Sequence, residues 1–493
     1  MTAPRHAIVI GAGMGGLAAA AELAAQGFAV TQFERHPVPG GKMREVRVGD
    51  RGIDSGPTVF TMRWIFDGLF AACDRQLEDY VGIHAADHLA RHSWTGGARL
   101  DLYANAERSV EAIAAFSDQQ SANAYREFVR DSGQIFDTLD QSFMRASRPG
   151  MLELSRRVGL LRTGDLLATR PFITLWKELQ RRFSDPRLVQ LFGRYATYCG
   201  SSPFDAPATL MLIAEAERRG VWYVDGGMQR FAEALARLGT ELGVSLRLGC
   251  GVNEILTSAG RVTGVIDADG QAHNADCVIY AGDTDALATG QLGAAVKRAA
   301  PERRNDERTL SAVTLSLVGA VRGWELGHHT VLFGDDYPAE FDAIFKHRTL
   351  PSSPTLYLCA QDREGDPSSA PNDERLFVLM NAPPTHLDDD QLQEARQRIT
   401  AQLSDHGLTV DATDNDIVMT SPNEFDALFA GSRGSLYGRV THGWRGSFQR
   451  SGSRTAVPGL YLAGGSVHPG AGIPMATQSG RLASACVVSD MAG

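Results

Sequence analysis

The chain of 493 residues is too long for one ordinary hydrophobic core, so two domains are expected. It is 43% hydrophobic and 22% charged, near the soluble average, and a formal net charge of −10 excludes the basic surface that a nucleic-acid partner requires. Six scattered cysteines without a CxxC pair read as buried thiols of a reducing compartment, with neither a disulfide framework nor a metal site expected.

An apolar strand, Ala7 to Ile10, runs into Gly11-x-Gly13-x-x-Gly16 and an alanine-rich helix from Leu17 to Gln26. Gly27 stops the helix, and a second strand, Ala29 to Phe33, leads to Glu34. This is the pattern of a dinucleotide-binding βαβ unit. Gly11 permits the tight turn, Gly13 lets backbone N–H groups approach a pyrophosphate, and Gly16 lets helix and strand pack closely. The helix N-terminus offers partial positive charge to the phosphates. Glu34 stands where a ribose needs an acceptor, and a carboxylate there disfavours the 2′-phosphate of NADP. Arg35-x-x-x-x-Gly40-Gly41-Lys42 follows where an NAD enzyme would continue into its next crossover, and Asp54-Ser-Gly56-Pro57-Thr58 returns the chain towards the cofactor. This series resembles the amine-oxidase and phytoene-desaturase superfamily of flavoproteins. The resemblance implies FAD, with Arg35, Gly41, Lys42, Gly56, Pro57 and Thr58 beside it. The amino-terminal run lacks a cleavage-type region, and Gly15 to Ala25 carries Glu22 and is too short to span a bilayer, so a cytoplasmic protein is expected.

From Phe60 to Phe70 the chain is aromatic, which suits a core helix or the wall of an apolar cavity beside the flavin. Helices are expected over 105–116 and 118–140, with short strand-like pieces such as 98–103. Residues 145–194 hold eleven basic residues, Arg162 among them, against four acids, with apolar positions such as Met151, Leu152, Leu160, Leu161, Leu167 and Phe172 between them. A basic, one-sidedly apolar stretch in an acidic protein has the composition of an interfacial helix pair. Past Gly226-Gly227 and a helix from Met228 to Leu242, the strands around Val244–Leu248, Val252, 260–266 and 272–280 return to the cofactor domain. In flavoproteins of this type Val252 fits the place that bonds the adenine edge through backbone groups. A second excursion, 291–454, shows strands near 310–321, 355–359 and 376–380 and a helix at 388–404 with Leu392, Ala395, Ile399 and Leu403 on one face. Asp388-Asp389-Asp390 favours that helix's dipole and is not read as a metal site.

A strand from Leu460 to Ala463 ends at Gly464-Gly465-Ser466, and a Gly/Pro-rich loop then enters a helix near Pro474, a residue suited to a first turn. This end places Met475 N–H at the flavin's pyrimidine carbonyl, where negative charge develops on reduction. His468 in the loop is read as structural. The expected fold is α/β: an FAD-binding Rossmann-type domain (1–65, 220–290 and 455–493) and a discontinuous substrate domain, with a helical, membrane-facing part (66–219) and a sheet part (291–454).

With Asp54-Ser-Gly-Pro-Thr58-Val-Phe60, Gly226-Gly-Met228 and Gly459 to Met475 in place, the chain resembles the carotenoid (phytoene) desaturases nearly end to end. Phe60 to Phe66, Asp185 to Pro203 and Ser447 to Arg454 are most similar to the 1-hydroxycarotenoid 3,4-desaturases. The chain departs from wider flavoprotein habit at Gly465-Ser466, where many relatives carry Gly-Asp. No carboxylate carries over to that position, and the backbone, Gly465 included, is left to hold the cofactor. The resemblance implies FAD-dependent 3,4-desaturation of an acyclic 1-hydroxycarotenoid by hydride transfer to flavin N5. It also implies oxygen or a quinone as acceptor, and a peripheral seat on the inner or photosynthetic membrane through 145–194. A polyene delocalises the resulting cation, so no catalytic base is named. Phytoene-type desaturation, polyene isomerisation and amine oxidation share this architecture, as does a non-redox lipid-binding escort role; the intact Gly11, Gly13, Gly16 and Glu34 argue against the last.

Overall fold

In the computed structural model, which describes residues 4–159, 163–364 and 371–491, two sheets organise the chain. The first runs, in spatial order, Ser245–Arg247, Ala29–Phe33, His6–Ile10, Cys277–Tyr280 and Leu460–Leu462, all parallel. Ala7, Ile8 and Val9 are fully buried, as an apolar strand covered on both faces must be. The Met14–Ala25 helix follows without a side-chain cap, and the last helix, Ile473–Met491, lies against it. Glycine makes that contact possible: a Cβ on Gly480 would stand 2.0 Å from Gly15 O, and one on Gly15 2.7 Å from Gly464 N. The two ends of the chain therefore meet at the carboxyl edge of the sheet, where open α/β sheets bind ligands.

The second sheet, eight-stranded among the described residues, runs Thr409–Asp411, Ser311–Arg322, Glu374–Ala382, Leu356–Ala360, His329–Leu332, His88–Ser93 and Arg99–Tyr103, with Ile417–Thr420 also on Ser311–Arg322. Arg99–Tyr103 falls on the strand-like piece at 98–103, while its partner His88–Ser93 comes from the part expected to be mainly helical. The expected division between 66–219 and 291–454 thus cuts through one sheet, because His329–Leu332 pairs in parallel with His88–Ser93. The Asp389–Asp405 helix buries Ala395, Ile399 and Leu403 and opens on a capping box between Asp388 and Gln391.

Two expectations resolve at this level. Phe60, Phe66 and Phe70 are fully buried in a core shared with Phe231, so that stretch is core; only Thr61 and Met62 from it reach the large cavity. The 145–194 stretch forms the helices Met151–Val158, Thr163–Ala168, Leu175–Arg182 and Pro186–Gly193, while Leu160, Leu161 and Arg162 lie outside the described residues. Its charge excess is smaller than the count suggests. Arg170 and Arg182 pair with Asp131, at 2.9 and 2.6 Å, and Arg145 pairs with Asp140 at 3.0 Å, both acids lying upstream of the stretch. Met151, Leu152, Leu167 and Phe172 are nevertheless more than half exposed.

Candidate active site

One continuous cavity of about 1110 Å³ runs from the carboxyl edge of the parallel sheet, across one face of the second sheet, to the Met151–Val158 and Thr163–Ala168 helices. Small-molecule pockets hold roughly 300–1,000 Å³, so this one has room for a cofactor and part of a long substrate together.

At the sheet end it is walled by Gly11, Gly13, Glu34, Arg35, Gly41, Lys42, Gly56, Pro57, Thr58, Val252, Gly465 and Met475. Gly16 stands behind them: its Cβ would fall 2.0 Å from Gly11 O, so glycine is required there by packing. Gly13 is different. Its backbone is ordinary extended chain (φ −74°, ψ 174°), and a Cβ would meet nothing nearer than 3.9 Å. Neither strain nor packing accounts for glycine at this point; a Cβ would instead stand in the cavity, the requirement of a site where backbone N–H groups close on a phosphate. Gly40 N donates to Ala12 O at 2.8 Å, which ties the Gly40-Gly41 turn to the glycine loop. Glu34 Oε2 accepts from Ala12 N at 2.6 Å and Oε1 from His36 N at 2.9 Å, so the carboxylate also braces the turn, with a second lone pair on each oxygen for a ribose. Arg35 donates to Ala427 O and Thr58 Oγ1 hydrogen-bonds Tyr357 Oη at 2.6 Å.

Three polar residues at this end escaped the sequence reading or gained a setting from the structure. Lys42 donates to Leu436 O, and burial lowers its ammonium to about 8, with Asp283 opposing the shift. Arg450 donates to Gly465 O at 2.9 Å, and burial lowers its pKa to about 10. Asp283 lines the cavity beside Gly465 and Ser466, with Oδ1 on Arg303 and Oδ2 buried without a hydrogen-bond partner among the described residues. Ser466 itself is turned to Thr284 N and Gly282 O. The carboxylate missing at the carboxy-terminal loop is thus present on a neighbouring one, three residues past the Cys277–Tyr280 strand; its place just beyond a parallel strand was the available signal. His468 is structural: fully buried, it bonds Phe143 O and Ala146 O through Nε2, at 3.0 and 2.9 Å, and burial lowers its pKa to about 4.

Along the second sheet the wall is made by alternate residues of Glu374–Ala382, namely Phe377, Leu379 and Asn381, with Tyr357 and Thr314 on the strands either side and Val331 on the next strand beyond Tyr357. Most polar groups here close on one another. Tyr357 Oη meets His329 Nδ1 at 2.7 Å, and Tyr198 donates to Glu217 at 2.6 Å. His328, His329 and Cys359 converge beside Tyr357, a buried grouping that sequence spacing cannot reveal. Glu340 is 1% exposed, and burial pushes its carboxyl up to about 7 from 4.5. The folded protein therefore holds a proton that the unfolded chain releases, and this residue's contribution makes stability fall as pH rises through 4.5 to about 7. Comparing the unfolding free energies of wild type and Glu340→Gln across that window is expected to show the difference growing against the wild type with pH; a pH-independent difference refutes it.

The flavin-containing amine oxidoreductase family is matched over residues 14–488. The chain belongs to this family. It is an FAD-dependent oxidoreductase, and the glycine-lined end of the cavity suits that cofactor. It is 45% identical to a hydroxyneurosporene desaturase of Rubrivivax gelatinosus over 98% of this chain and 93% of the relative, and 43% identical to one of Cereibacter sphaeroides over 98% of each. A 4,4'-diapolycopene oxygenase of Methylomonas sp. is 32% identical over 99% of each. An oxidoreductase from Methanosarcina mazei (16% identity, TM-score 0.61, 98% of this chain and 100% of that one) and a putrescine oxidase (13%, 0.61, 99% of each) share the fold.

Proposed function

We propose that this flavoenzyme desaturates an acyclic carotenoid in carotenoid biosynthesis, most specifically a 1-hydroxycarotenoid at its 3,4 bond. The observation that carries the reading is the unbroken cavity between the glycine loops and the exposed apolar helices, in a chain 45% identical to a hydroxyneurosporene desaturase. When bound, FAD would supply the two-electron oxidation, as the acceptor of a hydride. The residues that would hold it are Gly11, Gly13 and the Met14–Ala25 helix end at the pyrophosphate, Glu34 at a ribose and Val252 at the adenine. Arg35, Gly41, Lys42, Gly56, Pro57 and Thr58 line its flank, with Gly465, Asp283 and Met475 towards the flavin end. The lysine and arginine buried there, Lys42 and Arg450, give that end positive potential, which favours a reduced, anionic occupant. Leu379, Phe377, Val331 and their neighbours hold a polyene straight and keep water from a developing cation. The proton on the adjoining carbon leaves to water or a nearby group, and with the charge delocalised no side chain need serve as a strong base. Oxygen or a quinone would serve as the final electron acceptor.

The decisive experiment mixes FAD-reconstituted protein anaerobically with a 1-hydroxylated acyclic carotenoid in liposomes and separates the products. A product one double bond longer is expected. An unchanged carotenoid with oxidation of an amine instead overturns the proposal.

The substrate lives in lipid, and Met151, Leu152, Leu167 and Phe172 offer the protein a way to reach it. No described helix is long and apolar enough to cross a membrane. The proposed seat is peripheral, with Arg156 one turn from Leu152 for anionic headgroups, while Arg157 is paired with Glu153 at 2.7 Å. Each buried leucine or phenylalanine contributes about 1.5–3 kcal/mol. Leu152→Asp/Phe172→Asp is expected to lower binding to anionic vesicles by at least about 100-fold with bound FAD unchanged; undiminished co-flotation sinks the docking surface.

A further inference from the structure

The wall of the second sheet ends in a polar corner that the cofactor residues do not use. The Tyr337–Phe341 helix places Tyr337 and Glu340 one turn apart on the same face. Glu340 Oε2 accepts from Thr355 N at 3.1 Å and Thr355 Oγ1 at 2.7 Å, and Oε1 accepts from Asn381 Nδ2 at 3.1 Å. Tyr337, Thr355 and Asn381 all line the cavity and all four residues are more than nine-tenths buried. The donation to Glu340 fixes the Asn381 amide and leaves its Oδ1 as the acceptor for another donor. The Tyr337 hydroxyl has no partner among the described residues. A buried hydroxyl left unpaired costs roughly 1–3 kcal/mol, so its retention calls for something that completes it. Asn381 lies on the same strand face as Leu379, two residues or about 7 Å further along, and Leu379 pairs with the Tyr357 that bonds Thr58. The corner therefore stands a short way beyond the cofactor end, along the line a straight polyene would take.

We propose that Asn381 and Tyr337, with Asn381 oriented by Glu340, form a hydroxyl-recognition subsite for the end group of the substrate. This rests on the desaturase reading above and adds the source of its selectivity. An alcohol both donates and accepts: its O–H donates to Asn381 Oδ1, and its oxygen accepts from the Tyr337 hydroxyl. A hydrocarbon end group satisfies neither partner, and a site built to hydrogen-bond a substrate hydroxyl discriminates strongly against an analogue lacking it, whereas a purely apolar pocket does not. Glu340 is a positioning residue, holding the amide so that its oxygen faces the cavity.

The test is the ratio of kcat/KM for a 1-hydroxylated acyclic carotenoid to that for the same polyene without the hydroxyl. Asn381→Leu and the conservative Tyr337→Phe are each expected to lower the ratio by roughly tenfold or more, through loss on the hydroxylated substrate alone. Glu340→Gln is expected to raise KM for the hydroxylated polyene and to spare turnover of the other. FAD content and melting temperature accompany each variant, and Tyr337→Phe, which removes one oxygen, keeps the test open where a larger change unfolds the chain. Turnover of both polyenes by the wild type with a ratio the variants do not move overturns the subsite alone. Turnover of neither overturns the desaturase reading and the subsite with it.

Discussion

Gly13→Ala is expected to leave the apoprotein folded, melting within about a degree of wild type, while FAD affinity falls by roughly 100-fold. A methyl group forced into a close contact costs up to about 3 kcal/mol, and each 1.4 kcal/mol is tenfold in Kd. The backbone at Gly13 accepts any L-residue, and the added Cβ has 3.9 Å of clearance from the protein itself, so only an occupant of the cavity feels it. Gly16→Ala provides the contrast. Its Cβ would lie 2.0 Å from Gly11 O and 3.1 Å from Ala281 Cβ, a clash with backbone that no rotamer relieves, so this variant loses stability before any cofactor is added. Flavin fluorescence titration and melting of the apoproteins separate the two. Wild-type FAD affinity in Gly13→Ala, or loss of its apo fold, shows that the glycine serves something other than close approach to a ligand.

That two glycines three residues apart fail in different ways bears on what a sequence can disclose. The glycine loop, the acid at Glu34 and the closing Gly464–Met475 loop were legible because local chemistry dictates them: turns, close approaches and helix ends are written in consecutive residues. Of the second sheet only some strands were legible, among them those near 310–321, 355–359 and 376–380. Its order depends on His329–Leu332 pairing with His88–Ser93, some 240 residues away, and no periodicity carries that information. Charge counting failed for a related reason. The excess at 145–194 is answered in part by Asp131 and Asp140, upstream of the stretch. The polar corner was invisible because Thr355 and Asn381 lie far from Glu340 in the sequence, and only the folding of the sheet against the Tyr337–Phe341 helix brings them to it.

Asp285→Ala is expected to cost about 3–5 kcal/mol, the usual loss when one member of a buried ion pair is removed and its partner stays behind. That is a third or more of the roughly 5–15 kcal/mol by which native proteins are stable. Asp285 is fully buried in the Thr284–Ala288 helix, where Oδ1 accepts from Arg303 N at 3.0 Å and Oδ2 accepts from the Arg308 guanidinium. Arg308 is 1% exposed and Arg303 4%. With Asp285 gone, Arg308 keeps only the carbonyl oxygens of Ser432 and Arg303 among the described residues, and Arg303 keeps Asp283, a cavity-lining residue whose buried Oδ2 has no hydrogen-bond partner among the described residues. Pulling Asp283 further onto Arg303 withdraws it from the cofactor end, so bound FAD falls along with stability. Asp285→Leu combined with Arg308→Met removes one cation with the anion and is expected to recover part of the melting temperature, since apolar packing replaces a buried ion pair at little net cost. Calorimetric melting of the apo and FAD-loaded variants measures both effects. An Asp285→Ala protein that melts within a degree or so of wild type in both states means that the network confers no stability and that Asp283 is held by other means.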